Sequence, residues 1–215
     1  MISQPERRMI LSYSPTATAG RGLAALLTLD DRLAETLRTT SEPMLGQIRL
    51  QWWHDALIAL DTAPPPGEPV LQAIAQDVLR MGVGGSMIAG IAQGWQALLQ
   101  EELDDLALRT YGARGRRLFE LAGILAGASP ADPLTLAGEG WALAGLSGKL
   151  TDPGEAAAAR AIAVESLRAA TSARWSRNGR ALGAMAHLAR MELEGVSEGS
   201  PRRTWRALRH RFTGL

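Results

Sequence analysis

The sequence predicts an all-α protein folded as a single domain, and three observations carry that reading. Apolar residues recur at three- and four-residue spacing along nearly the whole chain, the period of an amphipathic helix. Period-two alternation is absent, and the β-branched and aromatic residues that favour strands are sparse. Proline- and glycine-containing breakers fall between the periodic segments, and no repeat or low-complexity linker marks a second unit.

Those breakers set the elements in order. The first predicted helix, 20–39, carries Leu23, Leu26, Leu27, Leu33, Ala34 and Leu37 as one stripe. The second, 42–61, opens at Pro43 with Ser41 or Glu42 as its cap, and Ala63-Pro64-Pro65-Pro66-Gly67 ends it. Its expected inward face is Leu45, Ile48, Trp52, Ala56 and Ala59. Helices follow at 68–80 and 86–102, parted by Gly82 to Gly85, and then at 104–127. Ser129-Pro130-Ala131-Asp132-Pro133 precedes a helix at 134–150, and Asp152-Pro153-Gly154 stops it before the next at 155–174. The last two are 178–194 and a short one at 201–212.

Composition narrows the function classes. At 215 residues, 46% apolar and 21% charged, the chain is long enough to bury a real core. No run approaches the roughly 20 apolar residues of a membrane span. Residues 1–14 hold Glu6, Arg7 and Arg8 before a short Met9-Ile10-Leu11, without the apolar stretch of a signal peptide. The absence of cysteine excludes disulfides, thiolate metal sites and a cysteine nucleophile. A cytoplasmic protein is the expectation, and a net charge of +1 gives no global pull toward nucleic acid. Lys149 is the only lysine. Arginine's planar fork suits phosphate and carboxylate, although a GC-rich coding sequence gives the same bias.

The chemistry concentrates on the first two helices. Asp30 falls at the centre of the first apolar stripe, and Asp31 lies about 100° away. A carboxylate on a buried face must be paired, protonated or bound to a cation. Asp30 is therefore either an ion-pair partner inside the bundle or a group lining a central cavity. Arg49, at the edge of the next helix's apolar face, is its expected partner. His54 is expected on the solvated side, and His187 and His210 stand isolated in the sequence.

Two segments carry a family resemblance. The run from Thr40 through Arg49, Trp52 and Trp53 to Leu57 resembles the helix after the first Asp-rich segment of the squalene/phytoene synthase family. The preceding Ala24 to Glu35 resembles the helix bearing that motif. Tyr111 to Gly127 is similar to the family's mid-chain helix, and Gly140 to Glu155 occupies the place of the second Asp-rich helix. The similarity runs in order over roughly residues 10 to 190 and is most specific at Arg49–Trp53. It is nearest to the branch that includes a mitochondrial complex I assembly factor. It implies an isoprenoid-synthase-like bundle around a central cavity, shortened on its C-terminal side, with residues 1–199 as the helical domain and 200–215 as a basic tail. Arg49 and Arg21 are then the candidate diphosphate ligands. Asp30, Asp31, Asp152 and Glu155 are the remnants of the catalytic motifs, with Asp30 and Asp152 the Mg²⁺ ligands if there are any.

The enzymes of that family hold Mg²⁺ against prenyl diphosphates with carboxylates one helical turn apart on two facing helices. Here Ala34 replaces the distal carboxylate of Asp30-Asp31-Arg32-Leu33-Ala34, and Ala156 that of Asp152-Pro153-Gly154-Glu155-Ala156. Glu35 is one residue late, Gly145 and Gly148 stand where polar side chains are expected, and Thr151 replaces an arginine. So few oxygens hold a magnesium cluster poorly. Three functions follow: a non-catalytic assembly or scaffold factor, as for a respiratory membrane complex; a Mg²⁺-dependent head-to-head prenyltransferase; or a module that binds a prenyl ligand without converting it.

Residues 200–215 add a further feature. Arg202, Arg203, Arg206, Arg209 and Arg211 occur with no acidic residue, and Trp205, Leu208 and Phe212 recur at helical spacing. Such a helix either lies on an anionic membrane or acidic partner, or packs on the bundle with its arginines in water. An exposed Trp205 is the sign of the first arrangement.

Overall fold

A computed structural model describes residues 3–40 and 42–215. The described residues form ten α-helices: α1 (Gln4–Leu11), α2 (Ala17–Arg38), α3 (Pro43–Ala59), α4 (Pro69–Asp77), α5 (Gly85–Gln96), α6 (Asp105–Ala126), α7 (Leu134–Ser147), α8 (Pro153–Ser172), α9 (Arg180–Leu193) and α10 (Pro201–Thr213). Single 3-10 turns at Leu79–Met81 and Ala97–Leu99 follow α4 and α5. The fold is all-α and single-domain, and no strand occurs among the described residues. Nine helices match the predicted segments, though α5 ends at Gln96 rather than 102.

The tenth, α1, is too short for periodicity to reveal, but its cap is legible in retrospect. Ser3 and Glu6 form a reciprocal capping box, and Pro5 sits in the first turn. Thr16 caps α2 by accepting from Ala19 N–H (3.1 Å), and Asp104 caps α6 through Ala107 N–H (2.8 Å). Glu42 occupies the cap position of α3 without a side-chain hydrogen bond, while Ser41 lies outside the described residues.

Helix α7 runs through the middle, packed against α6, α8 and α9. It meets α6 backbone to backbone at Gly115 and Gly138. A Cβ on Gly115 would stand 2.0 Å from the Gly138 carbonyl oxygen, and one on Gly138 2.2 Å from that of Gly115. Any larger residue would push the two central helices apart.

Helix α3 reverses the predicted orientation. Gly46, Leu50, Trp53 and Leu57 face the core, whereas Met44, Leu45, Ile48 and Trp52 are exposed and Ala56 is half-buried. The helix is apolar on both sides, so periodicity does not choose between them. Packing does: Gly46 admits the Leu99 side chain, and Leu50, Trp53 and Leu57 interlock with the core.

Helix α10 inverts the usual pattern further. Its buried residues are Arg203, Ala207 and His210, while Trp205 and Phe212 are about 70% exposed (69% and 71%). Arg203 forks onto Glu6 of α1, with Nε to Oε1 at 2.6 Å and Nη2 to Oε2 at 3.1 Å. It also donates to the carbonyls of Leu188 (3.2 Å) and Val196 (3.4 Å). One fully buried guanidinium thus ties the N-terminal helix to α9 and α10. Burial alone would raise the Glu6 carboxyl, but the bonds from Arg203 and from Ser3 N–H hold it below the usual carboxylate range. Beside this pair His187 of α9 meets His210 of α10, with ring centroids 4.7 Å apart. Burial, reinforced by His210 and nearby arginines, depresses His187 to about 2, and burial with Arg206 and Arg180 depresses His210 to about 4.

Two outcomes follow. Arg203→Ala leaves Glu6 buried without its partner and should cost about 3–5 kcal/mol in urea unfolding. Both histidines are neutral in the fold yet take up protons in the unfolded chain below about pH 6.5. Their contribution is therefore present above pH 6.5 and lost as pH falls toward 4, with Glu6 adding a further loss below about pH 4.3. The urea midpoint should drop between pH 7 and pH 5, and His210→Asn should flatten that slope even if it lowers stability at pH 7.

Candidate functional site

The central feature is a cavity of about 120 Å³ between α1, α2, α5, α6, α7 and α9. Asp30 lines it from α2, and its carboxylate is buried with only 6% of the residue exposed. The expected partner, Arg49, is not there. Arg49 is exposed on α3 and donates to Thr40 Oγ1 at 2.8 Å, because α3 turns Leu50 rather than its neighbour's side inward. Asp30 Oδ1 instead accepts from Arg114 Nη1 of α6 and from Trp95 Nε1 of α5 at 3.0 Å.

Three aromatic rings enclose that guanidinium. Its central carbon lies 4.4 Å from the Trp95 ring, 4.4 Å from the Tyr111 ring and 5.3 Å from the Trp141 ring. Each ring face attracts the cation, by on the order of 2 kcal/mol where water is excluded. Nη2 also donates to the Tyr111 hydroxyl at 3.0 Å, and Trp95 meets Tyr111 edge to face. Gly94 lets α5 approach this closely, since a Cβ there would stand 2.5 Å from that of Arg114. Burial pushes the Tyr111 phenol up to about 12, with Asp30 adding to the rise and Arg114 opposing it. Burial would lower the Arg114 pKa, but Asp30 and the Tyr111 oxygen raise it beyond its usual value. Arg114 is thus held charged beside Asp30, and the Tyr111 phenol stays protonated.

The other candidates are dispersed. Asp31 is exposed at the cavity rim and pairs with Arg7 of α1, which also donates to Thr28 Oγ1 at 3.2 Å. Ala34 and Gly145 line the cavity where the resemblance implies polar groups, and a Cβ at Gly145 would meet open space. Asp152 is not part of the site. It caps α8, accepting from Glu155 N–H at 2.8 Å, because α7 has already ended at Ser147. Glu155 accepts from Leu103 N–H at 2.8 Å and anchors the loop before α6. Arg21 pairs with Asp77 of α4 (3.1 Å), away from the cavity. Among the arginines of α10, Arg202 and Arg209 are exposed, Arg206 bonds the His187 ring, and Arg203 is withdrawn from the surface altogether. His54 is half-buried against Gln93 (3.1 Å) and Asp55 (3.0 Å) rather than free in water.

The Mg²⁺ that the resemblance implies does not fit these groups. Magnesium takes near-octahedral oxygen ligands with several carboxylate or phosphate oxygens. Here Asp30 and Asp31 are each held by an arginine, and the second carboxylate pair lies elsewhere. Among the described residues no three His, Cys, Asp or Glu side chains come together to hold a metal ion.

Arg114 is the principal residue that periodicity leaves unremarked. It occupies the core stripe Ala107, Tyr111, Arg114, Leu118 and Leu121 of α6, as Asp30 does on α2. Two opposite charges, each in the middle of an apolar face, are the signal that would have paired them.

Comparison of the chain with protein-family models, curated proteins and solved structures finds no match. What stands on the fold and site alone is a helical bundle whose central carboxylate is neutralised from within.

Replacing Arg114 by Ala should leave Asp30 buried and unpaired and lower unfolding stability by about 3–5 kcal/mol. Added Mg²⁺ should restore none of that loss. Urea titration with and without added Mg²⁺ measures both.

Proposed function

We propose that this chain is a non-catalytic protein of the squalene/phytoene synthase type, acting as an assembly or scaffold factor. The observation that carries the reading is the Asp30–Arg114 pair. A guanidinium wedged among three rings occupies the electrostatic role that a magnesium–diphosphate cluster would need to play. The size of the cavity supports the same reading. At about 120 Å³ it is below the roughly 300–1,000 Å³ of pockets that enclose drug-sized ligands, and head-to-head transfer requires two prenyl chains.

A scaffold works through its surface, and α3 presents one. Met44, Leu45, Ile48 and Trp52 form an exposed apolar stripe over two turns, of the kind found at protein contacts. The partner class is the one implied by the family resemblance, a subunit of a respiratory membrane complex. Among the described residues no helix is long and apolar enough to cross a membrane, which is compatible with a peripheral position.

Incubation with farnesyl or geranylgeranyl diphosphate and Mg²⁺, followed by extraction, should give no squalene- or phytoene-type product above background. Turnover that disappears in Asp30→Asn would contradict the proposal.

A further inference from the structure

A second depression lies on the surface where the α1–α2 turn, the α8–α9 loop and the end of α10 meet. It is lined by Ser12, Tyr13, Ser14, Arg177, Arg180 and Arg211, with Phe212 at its edge. Three arginines converge here, and no carboxylate lines the depression among the described residues. Asp132, behind the α8–α9 loop, is already engaged by Ser129 N–H (3.0 Å), Ser176 N–H (2.7 Å) and Ser176 Oγ (2.6 Å).

The polar groups of this depression are poorly satisfied within the chain. Tyr13 is 6% exposed, yet its buried hydroxyl has no hydrogen-bond partner among the described residues. Arg180 Nη1 donates to the carbonyls of Arg211 and Phe212, closing the end of α10, but its buried Nε is unpartnered. Arg211 rests over the Tyr13 ring at 4.8 Å and makes no salt bridge among the described residues. A buried donor left unpaired is costly, and a cluster of cations beside it calls for an anion. Arginine forks and hydroxyls together match the tetrahedral oxygens of a phosphate.

The neighbouring surface specifies which phosphate. Phe212 and Trp205, seven residues apart, lie within about 20° on one face of α10, and both are largely exposed. Arg202 and Arg209 flank them on the same face, and α10 contains no acidic residue. Aromatic rings beside arginines are the composition of a helix lying in a lipid headgroup layer. We infer that this depression seats the phosphate of an anionic phospholipid while Trp205 and Phe212 enter the membrane interface. The site stands apart from the non-catalytic reading, so each can fail without the other.

Co-sedimentation of the full chain with vesicles tests it. Binding is expected to phosphatidylcholine vesicles containing phosphatidylglycerol, and not to phosphatidylcholine alone. Arg177→Ala and Arg211→Ala should each weaken binding about five-fold, a near-surface cation being worth on the order of 1 kcal/mol. Tyr13→Phe should weaken it by removing one oxygen, and Trp205→Ala with Phe212→Ala should abolish it. Circular dichroism and melting temperature confirm that each variant is folded; the exposed positions 177, 205 and 212 leave the core untouched. Equal binding to neutral vesicles, or wild-type binding by the arginine variants, would overturn the proposal. So would inorganic phosphate protecting the protein against unfolding, at fixed ionic strength, in the absence of any vesicle binding, because the ligand would then be free phosphate.

Discussion

The ion pair between Asp30 and Arg114 is the constraint around which the bundle is arranged. Two charges are buried where water cannot reach them, and such a pair survives only with good geometry and further hydrogen bonds. Trp95 Nε1, the Tyr111 hydroxyl and three ring faces supply these. These contacts come from α5, α6 and α7, so the pair sets how α2, α5, α6 and α7 approach. The small residues around it follow from that requirement. Gly94 brings α5 against Arg114, and the Gly115–Gly138 crossing brings α7 close enough for Trp141 to reach the guanidinium. The same interaction defines what the centre can do, because a carboxylate satisfied by arginine is a structural anion rather than a metal ligand.

A second buried pair repeats this logic at the periphery. Arg203 and Glu6 join elements nearly 200 positions apart in sequence and hold α10 by its polar side. That choice leaves Trp205 and Phe212 outside. The inverted amphipathicity of α10 and the exposed apolar stripe of α3 have a common origin. In both helices the inward face is selected by specific partners, and apolar residues are left over on the surface.

Much of the fold was legible from pattern alone. Breakers such as Pro43, Gly82 and Asp152-Pro153-Gly154 bound their helices because missing donors and left-handed turns act locally. The burial of Asp30 followed from its place in the stripe of α2. Its partner did not, because pairing depends on which helices become neighbours. Arg49 lies nearer in sequence, whereas Arg114 lies 84 residues away and on the correct face. The inward side of α3 is not legible in its sequence, because both sides are apolar and only packing against Leu99 and α5 distinguishes them. Tyr13, Arg177, Arg180 and Arg211 come from three separate segments, and no local pattern could have assembled them.

The claim that Asp30 is committed to Arg114 is tested most directly by a double-mutant cycle. Stability would be measured by urea unfolding for Asp30→Asn, Arg114→Gln, the double variant and the parent chain. Strong coupling, of about 1–3 kcal/mol, with the double variant far less damaged than the sum of the single changes, is the predicted result. Additive losses would mean that Asp30 and Arg114 act independently, and the central carboxylate would be free for another role.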